Sequence, residues 1–285
     1  MSDTAEDPPR AAEWKPRLTV AAAQMEVRAD IDRNRRVILE QIDEAARKHK
    51  ARLIVFPETA ISGYAPAHCT GGTCDTIDFR AVRKAEQEMR GALKRHRMWG
   101  VLGTTECRKG RYYNTALIVD PKGRVAGRYD KIHLTGQRTR TLDTISFSPG
   151  AKSCLKTHKA AGTRVGVQIC FDMRFPESWR TLALQGARIL VHPTAAFGRD
   201  SLWKREGIEA NLSSRASENS CWLVSANSAG PYQYMASRIV DPDGIVIAKA
   251  EVDAEQVISA KIDPDWLGRA GGFLSSRRPD CYKLK

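Results

Sequence analysis

The chain contains one series of segments twice. The all-apolar run ARLIVFP (51–57) has a counterpart, ARILVHP (187–193), in the second half. Each half also contains a turn with Asp first, Pro second and Gly fourth, DPKG and DPDG. Apolar runs of strand length are typical of parallel strands buried on both faces. The repetition therefore predicts two similar α/β halves of about 110 to 120 residues each.

Helices are predicted between these strands. Ile38 and Ile42 follow an apolar strand and share one face of a helix. A helix after ARILVHP is predicted with Trp203, Ile208 and Leu212 facing inward. The predicted order of elements in each half is therefore strand, helix, strand, helix, strand and hairpin.

Two such halves are predicted to pack sheet against sheet with helices outside, as a four-layer αββα sandwich. Strands are expected at 164–170 and at 255–262, where the last strand closes the sheet. The alternative is two separate flavodoxin-like domains. Residues 135–163 are loop-rich but contain no Ser/Gly tract, so they do not read as a flexible linker. One domain is predicted over 17–265.

The composition argues against two classes of partner. No apolar run approaches the roughly 20 residues that a membrane helix needs. The net charge of +13 suggests nucleic acid, but the basic residues are dispersed and aromatic residues make up only 7%. We therefore expect a solvated basic surface that attracts anionic substrates, and no membrane or nucleic-acid partner.

The N-terminal segment 1–16 is polar and proline-bearing, and we interpret it as a mobile extension. It has neither a basic nor an apolar signal-peptide region, so a cytoplasmic protein with reduced thiols is expected.

The seven cysteines form no CxxC pair. HCTGGTC (68–74) lacks a second ligand pair and is interpreted as a loop, so no metal site is predicted.

Three reactive side chains follow predicted strands, where functional groups gather in parallel sheets. Glu58 follows an apolar strand and a proline, where partial burial would raise its pKa and suit a general base. Lys131 follows a hairpin strand, and Cys170 ends a strand before a helix. Glu58 could take the thiol proton, and Lys131 could stabilise the thiolate and an oxyanion. The backbone N–H of Phe171 would donate the second oxyanion bond.

Each residue also has an ordinary explanation. A cysteine that ends a strand is usually a core residue, a glutamate there is usually a cap or an ion-pair partner, and such a lysine is usually a surface charge. The three together at strand ends favour a catalytic site, although spacing alone does not exclude coincidence.

Five segments resemble one family. FPETAISGY, GRYDKIHL and ICFDMRFPE are similar to the three signature blocks of the nitrilase, or carbon–nitrogen hydrolase, superfamily, in its order. RASEN (215–219) and RRPDCY (277–282) resemble two further blocks. The resemblance runs from about Leu18 to the end of the chain and implies the αββα fold.

The resemblance also implies a reaction. Glu58 would be the base, Lys131 the oxyanion partner and Cys170 the nucleophile on an amide or carbamoyl carbon. Ammonia or an amine would leave, a thioester would remain, and water would release the acid. No metal or organic cofactor is implied.

One position departs from the family pattern. Seven residues before Gly150 of FSPG, where the family usually has a second glutamate, this chain has Asp143. Aspartate keeps the charge but is one methylene shorter. We expect Asp143 to keep an auxiliary role beside Lys131, and a different substrate geometry or weaker activity is the alternative.

The substrate is less defined. CFDMRFPE resembles the amidase branch, including omega-amidases and N-carbamoyl hydrolases. Arg174 either binds a substrate carboxylate or pairs with Asp172, Glu177 or Glu58. Family placement makes Tyr64 and Ala195 candidates for lining the pocket.

The sequence is compatible with three functions. The first is hydrolysis of a small linear amide or N-carbamoyl compound. The second is acyl transfer to an amine from the same site, and the third is an inactive relative that binds other molecules. The resemblance also implies a homodimer or larger homo-oligomer, with the tail 266–285 at the interface.

Overall fold

A computed structural model of the chain describes residues 15–64, 74–136, 147–269 and 273–281. The first described half contains five strands and two helices: β1 Leu18–Gln24, α1 Ile31–Arg47, β2 Leu53–Val55, α2 Phe79–His96, β3 Trp99–Arg108, β4 Arg111–Val119 and β5 Val125–Asp130. The later described part contains β6 His158–Ala160, β7 Thr163–Val167, α3 Pro176–Leu184, β8 Ile189–Thr194, α4 Arg205–Ser217, β9 Trp222–Asn227, β10 Arg238–Val240, β11 Val246–Lys249 and β12 Gln256–Ile262.

The strands form two six-stranded sheets. The first has the order β12-β1-β2-β3-β4-β5 and the second β11-β10-β9-β8-β7-β6. In each sheet the three central strands that alternate with helices are parallel, and the outer strands are antiparallel. The two sheets thus repeat one arrangement, as the sequence pattern predicts.

Three apolar layers separate four layers of structure. Val20, Val55 and Val191 belong to the buried layer between the sheets. Ile38 of α1 packs in a second layer, on the outer face of the first sheet. Leu212 of α4 packs in a third, on the outer face of the second sheet. This is the predicted αββα sandwich, and the shared central layer rules out two separate domains.

One outer strand of the first sheet comes from the second half of the chain, and the second sheet has an additional edge strand. β12 runs antiparallel to β1, so it joins the first sheet rather than closing the second. β6, inside the segment read as loop-rich, adds an edge strand to β7. Sequence patterns missed β6 because it has only three residues. They missed the β1–β12 pairing because pairing partners are not visible in a single strand.

Two local predictions were wrong. The strand expected over 164–170 ends at Val167, and Cys170 begins a 3₁₀ turn over Cys170–Arg174. Trp203, predicted to face inward, lies in a second 3₁₀ turn and is 80% exposed, whereas Ile208 and Leu212 are buried. No helix among the described residues has the length and apolar character needed to cross a membrane.

Candidate active site

Glu58 lies immediately beyond the carboxyl end of β2 and is fully buried. Its backbone N–H donates to the carbonyl of Thr194 at the end of β8 (3.4 Å), which ties the loop to the second sheet. Gly103 of β3 passes so close that a Cβ there would stand 2.0 Å from the carbonyl oxygen of Pro57. The Glu58 loop is therefore held from both sheets.

Lys131 directly follows β5, and its ammonium group meets Glu58. The Lys131 Nζ–Glu58 Oε1 distance is 2.7 Å, and neither side chain is exposed. Asn114 donates its Nδ2–H to the same oxygen, also at 2.7 Å. The Lys131 backbone is fixed by its N–H bond to Asn114 and by a bond from the Gly150 N–H to its carbonyl, 2.9 and 2.8 Å. A buried ion pair of this kind requires such support, because both charges have lost their water.

Cys170 forms a sharp corner between β7 and α3. Its φ of 46° lies in the left-handed region, which a non-glycine residue adopts only when its surroundings impose it. His192 of β8 helps to impose it, since His192 Nε2 lies 3.0 Å from the Cys170 carbonyl oxygen. A carbonyl only accepts, so Nε2 carries the hydrogen and Nδ1 faces the Ser225 hydroxyl at 3.0 Å. Burial lowers the pKa of His192 to about 4, so the ring is neutral.

The thiol of Cys170 is protonated at neutral pH. Burial and the nearby Glu58 carboxylate raise its pKa to about 12, although Lys131 lowers it. Hydrogen bonds from Thr194 and from the Ala195 backbone lower it further. For this sulfur to attack a carbon, a base would have to remove the proton, and Glu58 is a carboxylate near enough to affect the pKa of the thiol.

The other predicted site residues differ in how close they lie to the Cys170 thiol. Ala195 contacts the Cys170 thiol through its backbone. Tyr64 lines a cavity of about 350 Å³ together with Phe197 and the carboxyl-end segments of β1 and β9. Phe171 is half-buried and packs edge-on against Phe175, with ring centroids 5.4 Å apart.

Arg174 does not pair with the described acidic residues near it, and Asp143 lies in a part of the chain that the structure does not describe. Arg174 is exposed and forms no ion pair with any residue that the structure describes. The alternative pairing with Asp172 is not seen, because that carboxylate is bonded by Tyr129, His133 and the Ile169 backbone. Asp143 lies outside the described residues.

Sequence reasoning missed several residues of this site. Asn114, Thr194 and His192 are buried polar residues inside apolar strands, and that contrast was the available signal. Tyr234 was also missed: burial and electrostatic interaction with Cys170 and Glu58 raise its pKa, and the Arg174 cation opposes this effect. Tyr234 therefore lies within electrostatic range of both the thiol and Arg174.

The chain is similar to known proteins over most of its length. Residues 19–270 match the carbon-nitrogen hydrolase family. The deaminated glutathione amidase of Escherichia coli O157:H7 is 29% identical over 257 residues, 87% of this chain and 91% of the relative. The (R)-stereoselective amidase of a Pseudomonas species is 31% identical over 252 residues, 80% and 82% of the two chains.

A solved structure extends the comparison. It is a variant of the amidase from Nesterenkonia sp. AN1 that carries acrylamide added to its active-site cysteine. The match has 25% identity and a TM-score of 0.73, and it covers 89% of this chain and 97% of the other. This chain belongs to the carbon-nitrogen hydrolase family and is a hydrolase of the nitrilase superfamily.

Proposed function

We propose that the chain hydrolyses a small linear amide or N-carbamoyl compound through a thioester on Cys170. The observation that carries this proposal is the buried Lys131–Glu58 pair beside a protonated thiol at a strained corner. The three side chains come from the ends of β2, β5 and β7, so the fold brings together groups that are distant in sequence.

The first half of the reaction forms the thioester. Glu58 takes the Cys170 proton as the sulfur attacks the carbonyl carbon, and the carbonyl π electrons move to oxygen. Lys131 and the Phe171 N–H stabilise the resulting oxyanion. When the oxyanion collapses, the C–N bond breaks and Glu58 returns the proton to the leaving nitrogen, which departs as ammonia or an amine.

The second half of the reaction consumes water. Glu58 takes a proton from water as the oxygen attacks the thioester carbon, and collapse of this second oxyanion breaks the C–S bond. The proton returns to sulfur, and the acid is released. Asn114 keeps Glu58 oriented in both halves through its 2.7 Å bond. Asp143 is proposed as an auxiliary carboxylate near Lys131.

The test is ammonia release from a panel of linear amides, N-carbamoyl amino acids, N-carbamoyl amines and nitriles. Cys170→Ala should abolish release, whereas Cys107→Ala, which changes an exposed cysteine, should not affect it. The ratio of free acid to amide product in the presence of an added amine separates hydrolysis from acyl transfer, because a thioester partitions between water and the amine. If the folded, reduced protein releases no ammonia from any compound, this proposal is wrong, and an inactive binding protein becomes the better interpretation.

A further inference from the structure

The Asp172 carboxylate has an unusual set of partners. Its Oδ2 accepts hydrogen bonds from the Tyr129 hydroxyl (2.7 Å) and the Ile169 N–H (2.9 Å). Its Oδ1 accepts from the His133 backbone N–H (2.9 Å) and faces His133 Nδ1 at 2.7 Å. A carboxylate offers about four acceptor positions, so all of them are used. We call this group of four residues the carboxylate clamp.

The charge in the clamp is fixed in place. Asp172 is fully buried, and its oxygens can only accept, so His133 Nδ1 must carry a hydrogen. Burial and Asp172 hold the pKa of Tyr129 well above its ordinary value, so the phenol is a neutral donor. A completely satisfied buried network of this kind is rigid, and loss of one member leaves other groups unpaired.

The position of the clamp in the chain links it to catalysis. Tyr129 and His133 stand two residues before and two residues after Lys131, while Ile169 and Asp172 enclose Cys170. Three of the four bonds therefore run from the cysteine corner to the segment that carries the lysine.

The clamp also closes the corner itself. The Asp172 N–H donates to the Ile169 carbonyl (3.0 Å) while the Ile169 N–H donates to the Asp172 carboxylate, and Cys170 lies between them at φ 46°. These two bonds hold a left-handed cysteine that an unsupported chain would not retain.

We propose that Asp172 is a positioning residue that sets Cys170 against Lys131 for the reaction. This inference rests on the proposed function of those two residues. Asp172 touches neither substrate nor reacting atoms, and it acts by keeping two catalytic segments in register across the two sheets.

The test uses a graded series of variants in the full chain. Asp172→Asn turns an N–H₂ group toward at least two of the four donors, and Tyr129→Phe removes one bond without changing charge. Because a displacement of 1 Å can cost about 100-fold in rate, we expect kcat to fall about 100-fold in D172N and about 10-fold in Y129F. KM should stay within about threefold of wild type in both.

A matched control separates positioning from general stability. Asp241 is also a buried aspartate that accepts two backbone N–H bonds, from Asp243 and Ile245, but it lies in the β10–β11 turn. Asp241→Ala removes the acceptor of both bonds and should lower the melting temperature without lowering kcat. Loss of kcat in D241A equal to that in D172N would overturn the proposal.

A second readout does not depend on amidase activity. The rate of Cys170 alkylation by iodoacetamide, measured against Cys107 in the same molecule, should fall at least threefold in Y129F. The reason is that Lys131 lowers the pKa of the Cys170 thiol, and displacement of Lys131 weakens that effect.

A folded Y129F variant with unchanged kcat and unchanged alkylation would refute the positioning role of the clamp. If D172N does not fold, Y129F alone decides the question. A wild-type chain without amidase activity would instead refute the proposed function, while the alkylation result still tests the clamp.

Discussion

At the scale of single residues, the proposed site combines a protonated thiol with a buried ion pair. A thiol whose pKa is raised to about 12 contributes almost no thiolate at pH 7. In the proposed reaction, reactivity therefore comes from proton removal during attack and not from thiolate that is already present. Glu58 has two opposite effects here: its charge makes the thiol harder to ionise, and its carboxylate accepts the proton.

These two effects can be separated with Glu58→Gln. Turnover should fall by at least 1,000-fold because the base is lost. Yet the apparent pKa of Cys170 alkylation should move down, since the negative charge that raises it is gone while Lys131 remains. Between pH 7 and 10 the thiolate fraction is small, so a lower pKa appears as faster Cys170 alkylation at each pH, with Cys107 as the reference. Slower alkylation of Cys170 in E58Q than in the wild type would contradict this account of the thiol.

Arg174 is predicted to affect which amides the chain binds. Its guanidinium is exposed, has no ion pair among the described residues, and lies within electrostatic range of Tyr234. We expect it to bind a carboxylate on the substrate, as a guanidinium fork does. Arg174→Ala should raise KM about 10- to 100-fold for amides that bear a carboxylate and change KM less than threefold for neutral amides. Equal effects on both substrate series would assign Arg174 to another role.

Strand-end reasoning predicted that Glu58, Lys131 and Cys170 lie close together, because in parallel sheets the carboxyl ends of strands share one edge. It did not identify Asn114, which lies within antiparallel β4. The contact of Asn114 with Glu58 depends on how β2, β3 and β4 are ordered in the sheet, and no local pattern reports that order. Asp172 was visible in the motif, but its partners Tyr129 and His133 come from the other half of the sandwich.

At the scale of elements, the loop after β2 is held by the close passage of β3. A methyl group on Gly103 would stand 2.0 Å from the Pro57 carbonyl oxygen and 2.7 Å from the Thr59 nitrogen, and neither backbone atom can move alone. Gly103→Ala should therefore separate β3 from the Glu58 loop, lower kcat at least 10-fold and destabilise the fold. Thermal melts and steady-state rates measure both effects.

Gly207 offers the matched control for that variant. It lies in α4, and a Cβ there would have no neighbour within 4 Å. Gly207→Ala should raise the free energy of unfolding by up to about 1 kcal/mol and leave kcat unchanged, because alanine favours the helix. If G103A and G207A behave alike, the close passage of β3 does not position Glu58.

His192 couples β8 to the cysteine corner and predicts a dependence of stability on pH. Its pKa falls from an ordinary 6.5 to about 4 on folding, so between these values the unfolded chain binds the proton and the folded chain does not. The contribution of His192 is complete above pH 6.5 and is lost as the pH falls toward 4. His192→Gln should remove up to about 3 kcal/mol of the difference in unfolding free energy between pH 7 and pH 4. Urea melts at both pH values test this, and an unchanged difference would contradict it.

At the scale of the whole molecule, a strand that crosses between the halves helps to make the two repeats one unit. β12 belongs to the second half but pairs with all seven residues of β1 in the first sheet. Repetition in the sequence predicted the layers because strands buried on both faces are continuous apolar runs, and both halves contain such runs. It could not predict the crossing, because the register between distant strands is a property of the assembled sheets.

The outer surface of the second half exposes two large aromatic side chains. Among the large apolar side chains that the structure describes, Trp203 before α4 is 80% exposed and Phe273 of the tail is 54% exposed. Leu274, next to Phe273, packs against the core beneath α3 and α4, so the tail lies on this face. Exposed aromatic residues on a helical face are typical of protein interfaces. We expect a second copy of the chain to cover Trp203 and Phe273 in a homodimer or larger homo-oligomer.

Sedimentation of the wild type and of the double variant Trp203→Glu, Phe273→Glu tests this expectation. The wild type should sediment as a dimer or larger species, and the double variant should shift toward monomer, because two charges cannot be buried without partners. Ile247→Glu is the control, since Ile247 is 41% exposed on β11, away from this face. A wild-type monomer with full activity would show that the aromatic face does not serve self-association. An I247E variant that dissociates as fully as the double variant would instead place the interface on the β11 edge of the second sheet.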